Sequence, residues 1–543
     1  MLTGLRRRDT SVRTSGADVR GRETIELVVL VGLAAVLVIA AASRQDFVED
    51  GVRHLPAALS GPPHFGEARW IMFPPLLFAL VRPLAAIGLA GSVEAAIQPF
   101  LWVSVASGIV FLVSLGVWLR AECTDGARRA AALLLAGSCA PFLALYSDIA
   151  EPQIAGAMAV AGLTYARVRR DDPLGAEHGV VVAIGAIACA ALIYQGTILA
   201  LGMLPLVASR ETLLRRHVLA VLCAALAIVP AVMVAAQALS GTPLGLAVET
   251  TVAGERNPLA RSFMTSASAA KYVVAALAGA PQGIVALKNF GGLPALVSGL
   301  QASDARSVAL ATANVLRLIL GGLIVWGLFA AAVRGRDWRV LVAAAVILIL
   351  PVLRNQQYAY SKFFVLWPVP VALAALRYRA RSIAVAALLV LLSNGWLLAE
   401  DIRRGRRLHT SVQQLYGAAG PTTCWMTSGW APPMPHLWPG ITAPVLGTLA
   451  TGSDPAVQAR QLTRSLRRCF CDSSSVWTDT TRRDGPLVAD LARHFGYGVV
   501  DLTTVLVDPL PSGVPTDTAL SVQIYLDQDR ERICRTVTAA EIR

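Results

Sequence analysis

Charge is scarce in this sequence, and lysine is the scarcest charged residue. Charged residues make up 15% of the 543 positions, whereas an average soluble domain has about 25%. Lysine occurs only at Lys271, Lys288 and Lys362, so arginine carries nearly all of the positive charge. Together with a mean hydropathy of +0.58, this composition excludes an average soluble protein and predicts several membrane-crossing helices.

The motifs of several large protein classes are also missing. The chain has no P-loop, no nucleophile elbow, no HExxH motif and no paired CxxC, and its seven histidines do not cluster. ATP-driven transport by this chain alone and a cysteine-bound zinc site are therefore not expected. The net charge of +13 does not indicate a nucleic-acid partner, because the arginines stand at the ends of apolar segments, where they set membrane orientation.

The arginines near the N-terminus predict how the chain enters the membrane. Six of them precede the first apolar segment, Ile25–Ser43. This pattern predicts a cytoplasmic N-terminus over residues 1–24 and a first span that leads outward. A cleaved signal peptide ending near Ala40-Ala41-Ala42 is the alternative, and it leaves the sidedness of the remaining chain unchanged.

The apolar stretch Trp70–Gly91 decides the sidedness of everything that follows. Prolines and an arginine interrupt it, and we interpret it as a bent segment that lies along or dips into the outer face. Every strongly basic connection is then cytoplasmic, whereas a crossing here would place all of them outside. The fold class predicted is an α-helical polytopic membrane protein of about eleven spans. The ten later spans are predicted at residues 95–119, 130–146, 152–167, 179–193, 197–209, 218–238, 307–333, 340–353, 361–376 and 382–399.

Under this topology the basic connections share one side and the long loops share the other. The basic connections are residues 120–129, 167–170, 210–216, 334–339 and 377–381. The outer segments are residues 44–94, 147–151, 194–196, 239–306, 354–360 and everything after 400. Because the long loops concentrate on one face, we expect the chemistry to take place there.

Residues 401–543 are predicted to form a separate extracytoplasmic α/β domain after the membrane domain over residues 25–400. Strand-like runs occur at Ser475–Thr478, Gly498–Leu506 and Leu520–Leu526. Up to two disulfides can form there in an oxidising compartment, but their connectivity cannot be read from the sequence. The cysteines concerned are Cys424, Cys469, Cys471 and Cys534.

The first outer loop carries a group of acidic residues. On a helix, Asp46, Glu49 and Asp50 share one face, and repulsion between like charges there tends to raise a pKa. A carboxylate of this kind suits a general base near neutral pH, and such a cluster can also bind a divalent cation. The alternative is an ordinary amphipathic helix on which Glu49 pairs with Arg53 and Asp50 with His54.

A second pair of acids, Asp148 and Glu151, lies in a tight outer connection directly before Pro152. These acids could meet the first cluster across a cavity at the membrane surface. Alternatively they serve only to cap the next helix, because they have the D-x-x-E spacing and proline suits the first helical turn.

A third candidate is the polar segment 354–362, which combines cations, amides and phenols at the outer membrane surface. Arg354 and Lys362 could bind a lipid phosphate there. The alternative is an interfacial anchor, in which Tyr358, Tyr360 and Lys362 sit among the lipid headgroups. Weaker candidates of the same kind in the long outer loop are Arg256, Arg261, Lys271 and Lys288.

In their order along residues 25–400, these features resemble the GT-C superfamily of membrane glycosyltransferases. That group includes protein O-mannosyltransferases, aminoarabinose transferases and oligosaccharyltransferases. Glu49-Asp50 stands where the family has an acidic motif after its first span, and Pro74-Pro75-Leu76 where it has a Pro-Pro-Leu element in a surface helix. The Trp-Trp-Asp motif of oligosaccharyltransferases is absent from the sequence, so the subfamily is not identified.

Two later features extend the resemblance. Asp148 or Glu151 matches an acid of the family's second outer loop, and Tyr360 with Pro368-Val369-Pro370 matches the beginning of a late span. The resemblance implies that the base is Asp50, or else Asp46 or Glu49. It implies that Asp148 and Glu151 assist, either directly or through a divalent cation. The groups that face the lipid phosphate would be Arg354, Tyr358, Tyr360 and Lys362.

The activity implied is transfer of a hexose or pentose from a polyprenyl-phosphate carrier to a glycan, lipid or protein acceptor, with inversion at the anomeric carbon. It would take place on the outer face of the inner (plasma) membrane. Two alternatives remain open. A transporter or flippase of a lipid-linked envelope intermediate predicts ionisable residues in the middle of spans. A noncatalytic envelope assembly protein predicts that substitution of Asp50 has no effect.

Overall fold

The computed structural model of the protein is mostly helical. It describes residues 16–43, 71–89, 93–145, 151–172, 174–239, 243–253, 279–287, 293–303, 305–353, 365–418, 423–426, 467–478, 523–524, 530–535 and 538. The helices used below are α1 (Gly16–Ser43), α2 (Phe73–Ala86), α3 (Val93–Glu122), α4 (Gly126–Ser138), α5 (Ala140–Leu145), α6 (Glu151–Arg169), α7 (Gly175–Ile193), a 3-10 helix (Gln195–Met203), α8 (Leu204–Val207), α9 (Arg210–Leu213), α10 (Arg216–Leu239), α11 (Leu244–Ala253), α12 (Leu293–Leu300), α13 (Ala305–Arg334), α14 (Trp338–Leu353), α15 (Pro368–Ala375) and α16 (Ala380–Ala418).

Within these residues, six helices are long and apolar enough to cross a membrane. Their apolar stretches are Thr24–Ser43, Leu101–Glu122, Gly175–Ile193, Arg216–Leu239, Ser307–Arg334 and Ala380–Arg403. Large apolar side chains such as Trp326 and Leu392 are exposed on them, as expected of helices that face lipid. The chain is therefore a multi-pass membrane protein. Helices overlap each of the ten later predicted spans, but residues 197–203 form a 3-10 helix, the segment 130–146 is broken at Cys139, and residues 361–364 lie outside the described part. The number of spans stays a prediction.

The stretch predicted to lie along the outer face forms α2, a helix of only 14 residues. At about 1.5 Å per residue it is roughly 21 Å long, shorter than a hydrocarbon core of about 30 Å. It ends in a Schellman motif: Gly88 has a φ of +78°, and the Leu89 N–H donates to the Leu84 carbonyl at 2.9 Å. This geometry agrees with a segment that does not cross the membrane.

The five basic connections lie at the same end of the helix bundle, which we call the basic end. The contacts that join them are Arg167–Glu122 (2.5 Å), Arg128 to the Leu376 carbonyl (3.3 Å), Arg215–Glu177 (3.3 Å) and Arg377–Asp337. Burial, and after it the nearby cations Arg339 and Arg167, lowers the pKa of Arg170. Such a concentration of arginine at one end is what the positive-inside rule requires of the cytoplasmic side.

A buried ion pair fixes the first helix at this end. Glu26 of α1 is only 4% exposed, and Arg129 of α4 donates to its carboxylate through Nη2 at 3.1 Å. Arg120 at the end of α3 contacts the other carboxylate oxygen at 3.1 Å. A pocket of about 110 Å³ lies beside Glu26 and Arg120. Three helices are thereby joined through one carboxylate.

A break between α4 and α5 is joined to residues 284–286 by an amide side chain and by a backbone hydrogen bond from Ala140 to Ile284 at 3.0 Å. Cys139 leaves the helical conformation, with φ −59° and ψ 144°. Asn394 of α16 then donates to the Ser138 carbonyl at 2.7 Å and to the Ile284 carbonyl at 2.8 Å, and it accepts from the Ala286 N–H at 2.8 Å. Irregular backbone at membrane depth needs such internal partners, because lipid supplies none.

The tail contains a small mixed sheet of order β1-β2-β3, made of Thr423–Met426, Ser475–Thr478 and Gln523–Ile524. β1 and β2 pair in parallel, and β2 and β3 antiparallel. The strand predicted at Ser475–Thr478 is confirmed, β3 lies inside the predicted run Leu520–Leu526, and β1 was not predicted. The run at 498–506 lies outside the described residues.

Two disulfides join the four tail cysteines, Cys424 to Cys469 and Cys471 to Cys534. The cysteines of the membrane part, Cys123, Cys139, Cys189 and Cys223, are free. Helix α16 continues through residue 400 to Ala418, across the predicted boundary between the membrane domain and the tail. The domain boundaries themselves stay a prediction.

Candidate active site

Of the nine candidate site residues, Glu151 lies in the described part of the chain. It is the first residue of α6, with Pro152 beside it in the first turn, and it is 2% exposed. A carboxylate at the beginning of a helix is favoured by the helix dipole, so the capping interpretation and the functional one both fit this position. The other candidates, which lie outside the described residues, are Asp46, Glu49, Asp50, Asp148, Arg354, Tyr358, Tyr360 and Lys362.

The packing of α6 against α7 shows what surrounds Glu151. The two helices are antiparallel and approach closely at glycines: a Cβ on Gly162 would lie 2.7 Å from the Ala186 Cβ, and one on Gly179 would lie 3.0 Å from the Ala166 Cα. When the same antiparallel register is followed to the beginning of α6, Glu151 and the following turn lie beside residues 193–197. This is where α7 ends and the 3-10 helix begins.

Helix α3 contributes a residue at the same depth. It runs parallel to α6, and the Thr164 hydroxyl of α6 donates to the Ser114 carbonyl of α3 at 3.0 Å. Ten residues earlier in each helix, about 15 Å further from the basic end, are Ser104 of α3 and Ile154 of α6. Ser104 therefore lies at the level of Gln153, the neighbour of Ile154 in the first turn of α6.

Together these elements form what we call the outer polar cluster, at the end of the bundle opposite the basic end. Its members are Ser104, Glu151, Gln153, Gln195 and Thr197. Ser104, Gln153 and Thr197 are fully buried, at 0% exposure. Among the described residues, none forms a hydrogen bond with the Ser104 hydroxyl, the Thr197 hydroxyl or either polar atom of the Gln153 amide. Buried polar atoms without a partner are rare in native proteins.

The first outer loop returns to the bundle beside this cluster. The Met72 N–H, just before α2, donates to the Leu192 carbonyl at 2.9 Å, near the end of α7. Ile71 packs in a small apolar cluster with Ala191 and Met233. The segment that carries the predicted acids is therefore fixed at residues 71–72, within a few residues of Tyr194.

The long outer loop is anchored at the same place. The Gln195 amide donates to the Thr251 carbonyl of α11 at 3.4 Å, and Gln237 of α10 donates to the Thr251 hydroxyl at 2.8 Å. Gly196 allows the Tyr194 ring to fold back over the chain, since a Cβ there would lie 2.8 Å from the ring. Two of the predicted outer loops therefore meet at the outer polar cluster.

The segment after the candidate phosphate-binding residues leads into the interior. Helix α15 is buried along its whole length, and Trp367 before it stacks on Phe329 with ring centroids 5.6 Å apart. Gly283 packs so closely on the Trp367 indole that a Cβ would lie 2.5 Å from it. The Pro368-Val369-Pro370 motif thus forms the buried first turn of α15.

Sequence reasoning missed most of the outer polar cluster. It treated residues 194–196 as a short connection and did not consider Ser104, Gln153 or Thr197. A usable signal was present, because amides and hydroxyls at the predicted outer ends of otherwise apolar spans need buried partners. The described residues contain no group of three or more His, Cys, Asp or Glu side chains placed to hold a metal ion.

Comparisons with known proteins give distant similarities only. No protein-family profile and no curated protein sequence matches the chain. Among solved structures, it is similar to the oligosaccharyltransferase AglB of Archaeoglobus fulgidus in complex with an inhibitory peptide and a dolichol-phosphate, with 13% identity and a TM-score of 0.44 over 84% of this chain and 69% of that one. It is also similar to ArnT of Cupriavidus metallidurans bound to undecaprenyl phosphate, with 13% identity and a TM-score of 0.40 over 93% and 98% of the two chains.

Both of these proteins are GT-C membrane glycosyltransferases, the group that the sequence motifs resemble. At this identity and TM-score the similarity carries no argument about function.

Proposed function

We propose that this protein is a membrane glycosyltransferase that transfers a hexose or pentose from a polyprenyl-phosphate-linked donor to an acceptor on the extracytoplasmic face. The observation that carries the proposal is Glu151, a carboxylate 2% exposed at the end of the bundle opposite the basic end. Buried neutral polar groups lie beside it, and two predicted outer loops are anchored next to it. A buried carboxylate among polar side chains is a typical acid–base or metal-binding arrangement.

The sidedness rests on two independent features. The basic end collects the five arginine-rich connections, which favours the cytoplasm. The tail cysteines are paired in two disulfides while the described membrane cysteines are free, which favours an oxidising, extracytoplasmic location for the tail. We therefore propose a GT-C-like membrane domain of about eleven spans over residues 25–400 and an extracytoplasmic α/β domain over 401–543, in the inner (plasma) membrane.

The reaction we propose is a single displacement. A first-loop carboxylate, Asp50 or else Asp46 or Glu49, removes the proton from an acceptor hydroxyl, and the resulting oxygen attacks the anomeric carbon of the donor. The bond between that carbon and the phosphate oxygen breaks, so the polyprenyl phosphate leaves with its electron pair and the anomeric centre is inverted. The negative charge that develops on the phosphate requires nearby cations.

Those cations come from the segment 354–362. Arg354 and Lys362 contribute charge, and Tyr358 and Tyr360 contribute phenol donors. Asp148 and Glu151 are the residues that would hold a divalent cation, since carboxylate oxygens are the ligands that such hard cations prefer. A cation bound there would add positive charge beside the leaving phosphate.

The first experiment compares wild type with Glu151→Gln in a transfer assay, using purified protein and a panel of radiolabelled polyprenyl-phosphate sugars. We expect transfer to fall by about 100-fold or more, because the substitution keeps the shape of the side chain and removes its charge. The matched control is Glu177→Gln at the basic end, whose ion pairs are exposed. Full transfer by Glu151→Gln would remove Glu151 from the site, and absence of transfer by wild type from any donor would contradict the enzyme.

A transporter of a lipid-linked intermediate is the second candidate, and Arg317 is the observation that favours it. This half-buried arginine lies within the apolar stretch of α13, about 15 Å from its beginning at Ser307. Its guanidinium donates to the Ser393 hydroxyl of α16 at 3.3 Å. A transporter predicts that purified protein in vesicles moves a labelled lipid-linked sugar between leaflets, and that Arg317→Leu stops this movement. A glycosyltransferase predicts transfer without movement.

A further inference from the structure

The outer polar cluster contains three residues whose polar atoms are buried and that no described residue hydrogen-bonds. Ser104, Gln153 and Thr197 belong to three different elements, α3, α6 and the 3-10 helix. Each is 0% exposed. A buried amide or hydroxyl without a hydrogen bond destabilises the fold, because it has given up its bonds to water and gained none in return. Here three such groups lie at one depth. At the basic end, by contrast, the buried carboxylate Glu26 is paired with two arginines.

The three elements are neighbours as well as being level with each other. Helix α6 packs against α3, α7 and the 3-10 helix. The Thr164–Ser114 hydrogen bond sets the register of α6 on α3, and Gly162 and Gly179 set the register of α6 on α7. Both registers lead to the first turn of α6, so the segments that carry Ser104 and Thr197 pack beside α6 at about the level of Gln153.

The chemistry of the three side chains selects the ligand. They provide two hydroxyls and one amide, which together offer hydrogen-bond donors and acceptors but no charge. A phosphate would require cations or an array of N–H donors, and a metal ion would require carboxylates or carbonyls. A ring that carries several hydroxyl groups needs neutral donors and acceptors in equal measure.

We propose that Ser104, Gln153 and Thr197 form a subsite that binds the hydroxyl groups of a sugar ring next to Glu151. This inference rests on the proposed glycosyltransfer and adds the residues that recognise the sugar. The sugar could belong to the donor or to a glycan acceptor, since both present the same hydroxyl chemistry.

The test uses apolar replacements of nearly the same shape, Gln153→Met and Thr197→Val, in the full-length protein. Because neither residue has a hydrogen-bond partner among the described residues, these variants should keep or raise the melting temperature. As a contrast, Gln237→Met removes an amide that is bonded to Thr251, and it should lower the melting temperature. Thr164→Val, which makes the same change at a paired hydroxyl away from the cluster, should leave sugar binding unchanged.

Binding is measured for polyprenyl-phosphate-linked hexoses and pentoses and for bare polyprenyl phosphate, and the KM for a glycan acceptor is measured with the best donor. Each replacement should weaken sugar recognition by about 3- to 10-fold, the value of one neutral hydrogen bond, and the pair by about 10- to 100-fold. Weaker binding of the lipid-linked sugar with unchanged binding of the bare lipid assigns the subsite to the donor. A raised acceptor KM with unchanged donor binding assigns it to the acceptor.

Unchanged donor binding together with unchanged acceptor KM in the double variant overturns the subsite. Two other results would also overturn it. One is an equal loss of affinity for the lipid-linked sugar and for the bare lipid. The other is a loss of affinity seen only in variants whose melting temperature has fallen. A wild-type protein that binds the sugar-bearing lipid more tightly than the bare lipid, loses that preference in the double variant, and yet transfers nothing would refute the proposed reaction and leave the subsite standing.

Discussion

The two ends of this helix bundle differ in whether their buried polar side chains have hydrogen-bond partners. At the basic end, Glu26 is buried between Arg129 and Arg120, and Arg167 is bonded to Glu122. At the outer end, Ser104, Gln153 and Thr197 are buried as deeply, but their side chains have no hydrogen-bond partner among the described residues. The first arrangement stabilises one packing of the helices, whereas the second leaves hydrogen-bonding capacity for something the chain itself does not supply.

We infer that this difference separates residues that stabilise the fold from residues of the proposed site. Removing one member of a buried ion pair lowers stability strongly, because the other charge remains buried without a partner. An unpaired buried amide or hydroxyl can be replaced by an apolar group at little cost to the fold. Functional sites commonly break the rule of satisfied polar groups in this way. Substitutions at the basic end should therefore change stability, and substitutions at the outer end should change activity.

The largest effect is expected at the outer end. Asp50→Asn should lower sugar transfer by about 100- to 10,000-fold, the usual contribution of a general base, and leave the melting temperature in detergent unchanged. The assay follows radiolabelled sugar from a polyprenyl-phosphate donor to acceptor. Glu67→Gln in the same loop is the control and should transfer normally. Equal transfer by Asp50→Asn and Glu67→Gln would move the base to Asp46 or Glu49.

The next largest effect is expected at the basic end. Glu26→Leu leaves the Arg129 guanidinium buried without its carboxylate, and it should lower stability by about 3–5 kcal/mol, seen as a lower melting temperature in detergent. The double variant Glu26→Leu with Arg129→Met should recover part of this loss, because both buried charges are then gone. Transfer per folded molecule should not change. A double variant less stable than Glu26→Leu would contradict the ion-pair interpretation.

A smaller loss of stability is expected between the two ends. Asn394→Leu removes three hydrogen bonds from backbone groups of the α4–α5 break and of residues 284–286. The Ile284 carbonyl keeps the Ala140 N–H as a partner at 3.0 Å, and small backbone shifts can pair the other two groups again, so we expect a net loss of about 1–3 kcal/mol. The neighbouring variant Gly395→Ala is the control, since a Cβ there meets nothing within 4 Å. If the two variants melted at the same temperature, Asn394 would not hold the break.

The smallest effect is expected from an exposed contact of the basic end. Glu177 pairs with His217 at 2.8 Å and with Arg215 at 3.3 Å, but all three side chains are partly exposed. Glu177→Gln should therefore change stability by less than about 1 kcal/mol. The measurement is the same melting curve as for Glu26→Leu. A loss as large as that of Glu26→Leu would show that burial does not separate the two contacts.

Particular residues show how far the sequence alone could lead. The arginine clusters predicted which connections share one side, and the contacts Arg128–Leu376 and Arg215–Glu177 join those connections at one end. The strand-like run Ser475–Thr478 predicted a strand that is present. Strand β1 was missed, because Thr423–Met426 becomes a strand through its pairing with β2, which lies about 50 residues later in the chain. The first-loop acids and the segment 354–362 lie outside the described residues and stay predictions.

Hydropathy and arginine placement act locally, segment by segment, so they were enough to predict several membrane crossings and which arginine-rich connections lie at one end. The pairing of the cysteines, the contact of Asn394 with the α4–α5 break, and the level of Ser104, Gln153 and Thr197 beside Glu151 became visible in the three-dimensional arrangement. These facts depend on the register between helices far apart in the chain. That register is set by close contacts such as Gly162 with Ala186, which involve side chains too small and apolar to stand out in the sequence.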